Sequence, residues 1–488
     1  MACAEVGNGF SEGLVRLYNG QVKPGMAKSW DISKDGKTYT FHLRDAKWND
    51  GQPVTAQNFE YGIKRLMDPK LAAAYAFAGS YIVNATEYNT GKITDASKMG
   101  VKAIDDKTLQ ITLKNATPYF LGYLSNDCFH ASRQDLVEKY GNKYGTDVST
   151  TPSNGPFILK SWKHDDSLTL EKNPDYWDKD SIKLEKVIIK VIKDPQTAFN
   201  LYNSGELDFV DVPSQLSASY IASGQAKVYM TGADDYLLIN TKAAGKPWLA
   251  NNDFRQAMNY ALNRKDYVKL VFHDLYLPAT RLMMPLVAGI DKGKFNDQCK
   301  IDQYSDTGDA AKAQELLKKA MTTLNITDPK QITFSIKTSD DDTAKKQTEV
   351  IQDQLNKTLG INVTIKMVTY KQMLADNNNK NYETITAGWM PDYDDPMTYL
   401  ELFQTGNSSN SSGYSNPAFD KDIESARTEP DAAKRQQLLY GAEKMLINDC
   451  PLLPLQYRQS AWMYKSNLKN LQRYFVGSDI DFTYAYFG

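Results

Sequence analysis

The sequence predicts a mixed α/β protein of two or three domains, and three observations carry that prediction. The chain has 488 residues, enough for two or three separate cores. Residues 331 to 389 alternate two-periodic and helical apolar patterns in the order β–α–β–α–β, most simply a parallel sheet with helical crossovers. Residues 24 to 114 instead repeat hairpin signals around one helix, an α+β pattern.

Each element has a local reason. "KDGK" (34 to 37) is a turn signal, and "TYTFHL" (38 to 43) alternates like a half-buried strand. Thr55 is placed to cap a helix whose Phe59, Ile63, Leu66 and Met67 share one face until Pro69. "VKAIDDKTLQITLK" (101 to 114) repeats the hairpin. Two strands then precede a helix starting near Asp194, with Ala198, Leu201 and Tyr202 on one face. Farther on, Ile332, Phe334 and Ile336 alternate, and a helix with Ile351, Leu355 and Leu359 ends at Gly360, a C-terminal glycine cap. Ile361, Val363, Ile365 and Met367 alternate again before a second helix and the strand "YETITAGW".

That last strand runs into "GWMPDYDDP", where Asp392, Asp394 and Asp395 crowd together. Ligands of open parallel sheets sit beyond the carboxyl ends of the strands, so the acids occupy a ligand mouth. A divalent metal is disfavoured, because the D-x-D-x-D-G loop is absent and Pro391 and Pro396 stiffen the backbone. No G-x-S-x-G, H-E-x-x-H, Walker loop or strand-borne G-x-G-x-x-G is present, so an enzyme is disfavoured too. The remaining chemistry is an ammonium held by a carboxylate beside Trp389 and Tyr393. Asp394 or Asp395 is expected to serve the start of the next helix, leaving Asp392 for the ligand.

The totals exclude several classes. Basic and acidic residues number 57 and 59, so the basic footprint of a nucleic-acid binder is missing. No apolar run approaches the length of a bilayer span, and mean hydropathy is −0.53. Four cysteines (Cys3, Cys128, Cys299, Cys450) and four histidines form no metal-ligand spacing. Cys3, at the start of the chain, reads either as a lipid-anchored cysteine or as an incidental terminal residue. Thirty tyrosines against 18 phenylalanines suit adaptable recognition as well as packing.

A series of segments resembles one family throughout the chain. These are "EGLVRL" (12 to 17), "PGMAKSWDISKDGKTYTFHLRDAKWNDGQPVTAQNF" (24 to 59) and "NGPFILKSW" (154 to 162). They continue with "LEKNPDYWD" (170 to 178), "DPQTAFNLYNSGELDFV" (194 to 210), "FRQAMNYALNRKDYV" (254 to 268) and "GWMPDYDDPMTYL" (388 to 400). In this order they resemble the extracellular solute-binding proteins of peptide transporters, the oligopeptide- and dipeptide-binding class.

The resemblance implies an α/β, two-lobed periplasmic-binding-protein-like fold with a two-crossing hinge and an extra α+β domain on lobe I. Lobe I would comprise residues 1-24, 151-243 and 470-488, the extra domain 25-150, and lobe II 244-469. The implied activity is non-catalytic capture of short peptides in the interlobe cleft and delivery to a membrane-embedded ABC permease. The protein would be a monomer with no cofactor, no metal, no nucleic acid and no transmembrane segment. Its expected place is extracytoplasmic, in the periplasm or lipid-anchored on the outer face of the membrane.

By motif match, the peptide main chain would pair with Glu12, Gly13 and Leu14 on one side and Gly388, Trp389 and Met390 on the other. Asp392, with Tyr393 beside it, would hold the ammonium. Asn240 and Tyr75 are further ligand candidates, because such crevices favour amides and amphipathic aromatics. Trp48, Asp50, Gly51 and Pro53 read as scaffold. The alternatives are the same fold binding a nickel complex, haem or sugar, or a hydrolase or surface chaperone using the same cleft.

Overall fold

The computed structural model describes residues 2–18, 20–73, 75–476 and 480–488, with the side chains of residues 2–5, Cys3 included, outside the description. The chain divides into two compact units, one of residues 1–210 with 464–488 and the other of residues 211–463.

In the first unit a hairpin of β1 (Val15–Tyr18) and β2 (Gln21–Pro24) leads into a four-stranded antiparallel sheet. Its strands are β3 (Ala27–Ile32), β4 (Thr38–Leu43), β5 (Val101–Asp105) and β6 (Thr108–Thr112), in the order β3-β4-β6-β5. Alternation does its work here: Tyr39, Phe41 and Leu43 of β4 and Leu109 and Ile111 of β6 are all buried. The helix α1 (Ala56–Leu66) packs on β5 and β6 through Phe59 and Ile63, with the Thr55–Asn58 capping box at its start. Trp48 is buried and its Nε1 donates to Asn58 Oδ1 at 3.1 Å, while Gly51 closes the turn at a φ of 85°, which only glycine adopts cheaply. Trp48 thus serves packing and Gly51 a turn.

A three-stranded meander of β7 (Phe157–Lys163), β8 (Ser167–Lys172) and β9 (Lys186–Lys190) follows in the first unit. The following helix, Pro195–Asn203, starts at Asp194, whose carboxylate accepts the Thr197 N–H at 2.7 Å. Its inward residue is Phe199, and Ala198, Leu201 and Tyr202 are only half-buried flanks of that contact.

The second unit is built on a mixed sheet. Its strands β10 (Lys227–Ile239), β11 (Thr333–Ser339), β12 (Asn362–Val368), β13 (Thr384–Trp389) and β14 (Leu452–Tyr464) lie in the order β14-β10-β13-β11-β12. The β–α–β–α–β prediction holds: β11, β12 and β13 are parallel, with the crossover helices α2 (Asp342–Leu359) and α3 (Tyr370–Asn378). Asp341 caps α2 and Gly360 ends it in the left-handed conformation at a φ of 69°. Two details differ from the sequence reading. β11 is buried on both faces rather than one, and Met367, read as inward, is 41% exposed because β12 is the sheet's edge.

β10 is hydrogen-bonded on both sides, to β13 and β14, and residues 211–243 fall within this unit. Its core gathers Leu237, Ile239, Phe254, Phe334, Ile336, Leu355 and Leu453. Among the described residues, no helix is long and apolar enough to cross a membrane, and no group of three His, Cys, Asp or Glu side chains is placed to hold a metal ion.

Candidate functional site

β13 does not stop at Ala387. It carries Gly388 and Trp389 in register opposite Asp235 and Asp234 of β10. A side chain at 388 would force the strands to shift, since a Cβ would lie 2.5 Å from Asp235 Oδ1 and 2.6 Å from the Asp234 carbonyl oxygen. The Trp389 N–H donates to Asp234 Oδ1 at 3.1 Å, and its indole Nε1 donates to Thr398 Oγ1 at 3.4 Å. Thr398 Oγ1 also accepts the main-chain N–H of Asp392 at 3.2 Å. One buried hydroxyl therefore fixes both ends of the Trp389–Asp392 turn. Gly388 is exposed, Trp389 and Met390 are half-buried, and Asp392 and Tyr393 are buried.

The other two aspartates have different employment. Asp395 pairs with Arg435 through two bonds of 2.7 and 2.9 Å, and its Oδ1 accepts the Met397 N–H at the start of the next helical turn. Asp394 Oδ1 accepts the Ala288 N–H at 2.7 Å, and burial raises its pKa above the usual carboxylate range. The Tyr393 hydroxyl donates to Glu401 Oε1 at 2.7 Å. Of the acid cluster, Asp395 thus serves the helix start as the sequence suggested.

Behind the turn lies a pair that the sequence reading passed over. Asp235 receives Arg458 through two bonds of 2.7 and 2.6 Å and Gln456 at 2.6 Å. Asp234 is 2% exposed, and its Oδ2 is buried with no partner among the described residues. Desolvation first, and then the neighbouring Asp235 charge, raise the Asp234 pKa well above the usual range. Two adjacent acids inside "GADDYLLINT" were the available signal.

In the first unit, Glu12 is buried and its carboxylate is already engaged. It accepts Tyr176 OH at 2.8 Å, Trp177 Nε1 at 2.7 Å and Arg16 Nη1 at 3.3 Å. Burial raises its pKa, with Arg16 opposing. The Gly13 carbonyl accepts the Met26 N–H at 2.9 Å, and the Leu14 carbonyl accepts those of Gly25 and Ala27 at 3.1 and 3.0 Å. Gly13 is packed so tightly that a Cβ would lie 2.9 Å from the His130 ring.

Two residues stand apart. Asn240 lies beyond the Ile239–Thr384 end of the β10–β13 pair, six residues from Asp234, about 20 Å at the usual strand rise. Its amide donates to the Lys380 and Tyr382 carbonyls at 3.2 and 3.0 Å and accepts the Lys242 N–H, fastening the 380–383 turn. Tyr75 is 42% exposed in the first unit, its ring 5.1 Å from that of Phe77.

The family model of the bacterial extracellular solute-binding proteins, family 5, matches residues 21–411. The dipeptide-binding protein DppE of Bacillus subtilis is 35% identical over 476 residues, covering 96% of this chain and 85% of that protein. The substrate-binding domain of an oligopeptide ABC transporter from Bacillus anthracis superposes with a TM-score of 0.88 at 34% identity, covering 99% of this chain and 94% of that one. OppA of Listeria monocytogenes, solved bound to peptide, gives the same TM-score at 32% identity, covering 100% of this chain and 94% of that one. The fold is the α/β, periplasmic-binding-protein-like one of these structures, and the chain belongs to the bacterial extracellular solute-binding proteins, family 5.

Proposed function

We propose that the protein is a non-catalytic extracytoplasmic receptor that binds short peptides and delivers them to an ATP-driven permease. The observation that carries the reading is the Gly388–Asp392 turn. It offers a side-chain-free, exposed main-chain position at Gly388, an indole, and a buried aspartate whose backbone is locked on Thr398. Asp394 and Asp395 bond to Ala288 and Arg435, and Asp392, the acid of the G-W-x-x-D-Y motif, is assigned to the ligand's ammonium. Main-chain pairing explains tolerance of varied side chains, and a charge-assisted bond to a free amine contributes about 1.5–3 kcal/mol.

The relatives' names support the peptide class, since DppE is a dipeptide-binding protein and the Listeria protein was solved with peptide. Residues 25–150 are proposed as the family's extra α+β domain. Tyr393 is assigned to shaping the turn through Glu401, and Asn240 to fastening the 380–383 turn.

The test is thermal unfolding with free and N-acetylated short peptides. A ligand at about 100 times its dissociation constant stabilises by roughly 2.7 kcal/mol. Free peptides should stabilise the wild type, acetylated ones far less, and Asp392→Asn should lose the difference. Equal stabilisation by both sets would remove Asp392 from the ammonium role. No stabilisation by either would remove the peptide reading.

A further inference from the structure

Arg44 follows β4 at the back of the Glu12–Leu14 segment. Its N–H donates to the Met26 carbonyl at 3.0 Å and its Nε to the Gly25 carbonyl at 2.7 Å. The guanidinium sits over the Trp177 ring, its Cζ 3.4 Å from the ring centroid. Trp177 is itself oriented by its Nε1 bond to Glu12 Oε2, and Glu12 is steadied in turn by Tyr176. So Glu12, expected from the sequence to meet the ligand, positions the indole on which Arg44 rests.

The neighbouring cation, Arg16, is answered by Glu12 and Asp481 at 3.3 and 3.4 Å. Arg44 is not. Among the described residues, no carboxylate lies within 4.0 Å of it, and neither Nη has a protein acceptor. Burial pulls its pKa below the ordinary guanidinium value, with Glu12 only a more distant opposing charge. A half-buried guanidinium, stacked and clamped at Nε, has lost much of its rotational freedom in advance, and its fork fits a carboxylate.

The place matters as much as the charge. Gly25, whose carbonyl takes Arg44 Nε, gives its own N–H to Leu14, and Met26 gives its N–H to Gly13. We propose that Arg44 is a carboxylate-binding residue of this protein, receiving either the C-terminal carboxylate or an acidic side chain of a peptide lying along the Glu12–Leu14 segment. This rests on the peptide-receptor reading, in which that segment contacts the ligand. A purely structural Arg44 would clamp Gly25 and show no preference for ligand charge.

The experiment is calorimetric titration of the full chain with four probes: tri-alanine, tri-alanine amide, Ala-Glu-Ala amide and Ala-Gln-Ala amide. The first pair isolates the C-terminal carboxylate and the second pair the side chain. In the wild type, one carboxylate probe should bind roughly tenfold to a hundredfold more tightly than its neutral counterpart. Arg44→Met should erase that ratio while leaving the neutral probes nearly unchanged. Should Arg44→Met fail to fold, Arg44→Lys decides, because it keeps a point charge and loses the fork; the ratio should shrink. Binding of all four probes without discrimination, or a ratio unchanged in either variant, overturns the role of Arg44 alone. Failure of every probe to bind overturns the peptide reading, and the Arg44 proposal with it.

Discussion

Asp234 accepts the main-chain N–H of Trp389 through Oδ1 at 3.1 Å while its Oδ2 is buried without a partner. A charged carboxylate in that position would be costly, and its raised pKa means that the folded protein holds Asp234 as a neutral acid above the ordinary carboxylate range. The Trp389 turn thus rests on a proton.

Stability should register that proton. Below about pH 4 both the folded and unfolded chains carry it. Above that the unfolded chain releases it and the folded one does not, so stability falls as pH rises towards the folded-state pKa and is flat beyond it. The slope from this one group is at most about 1.4 kcal/mol per pH unit. Asp234→Asn keeps an acceptor for the Trp389 N–H and removes the titration. In guanidinium denaturation at pH 5 and pH 8, the difference between wild type and variant should shift in the variant's favour at pH 8. A constant difference would show that Asp234 does not titrate on unfolding.

Gly388→Ala places its Cβ against the Asp234 carbonyl oxygen and Asp235 Oδ1, one backbone and the other tied to Arg458. Neither can move without opening the β10–β13 ladder. The expected cost is about 1–3 kcal/mol in chemical denaturation, together with weaker peptide binding, since the strand edge must shift. Wild-type stability and affinity in this variant would contradict the register.

Asp395 and Arg435 form a largely buried pair, 13% and 12% exposed. Removing one partner strands the other charge, so Arg435→Met should cost about 3–5 kcal/mol, discounted somewhat for residual exposure. Asp394→Asn, at a bond to a backbone N–H that the amide oxygen can still accept, should cost well under that. Denaturant midpoints of the two variants would rank them, and the reverse order would refute this division of labour in the acid cluster.

How much of this was legible beforehand differed with the range of the interaction. Helix starts at Asp194 and Asp341 and the stop at Gly360 are local chemistry, and the sequence displays them. The parallel order of β11, β12 and β13 followed from periodicity and crossover length. The Trp389–Asp392 turn was legible because it is one short motif. Asp234 was not, because its meaning lies in pairing with Trp389, 155 residues away. The engagement of the Glu12 carboxylate was hidden for the same reason: the groups that occupy it, Tyr176 and Trp177, lie 164 and 165 residues along the chain. Met367 alternated correctly, yet alternation cannot tell an edge strand from an inner one.

His130 gives the opposite pH dependence from Asp234. It packs beneath Gly13, with Nδ1 3.0 Å from Ser11 Oγ. Burial, with Arg16 adding repulsion, lowers its pKa from 6.5 to about 4. As pH falls below 6.5 the unfolded chain takes up a proton that the folded chain refuses. Stability is therefore lost between about pH 6.5 and 4, by roughly 3 kcal/mol at most. His130→Gln retains a polar partner for Ser11 without titrating, and should flatten that part of the profile. With only four histidines in the chain, the ring can also be followed directly by NMR. Its signal should stay unprotonated down to pH 5, and a midpoint near 6.5 would show that the ring is not sealed beneath the Glu12–Leu14 segment.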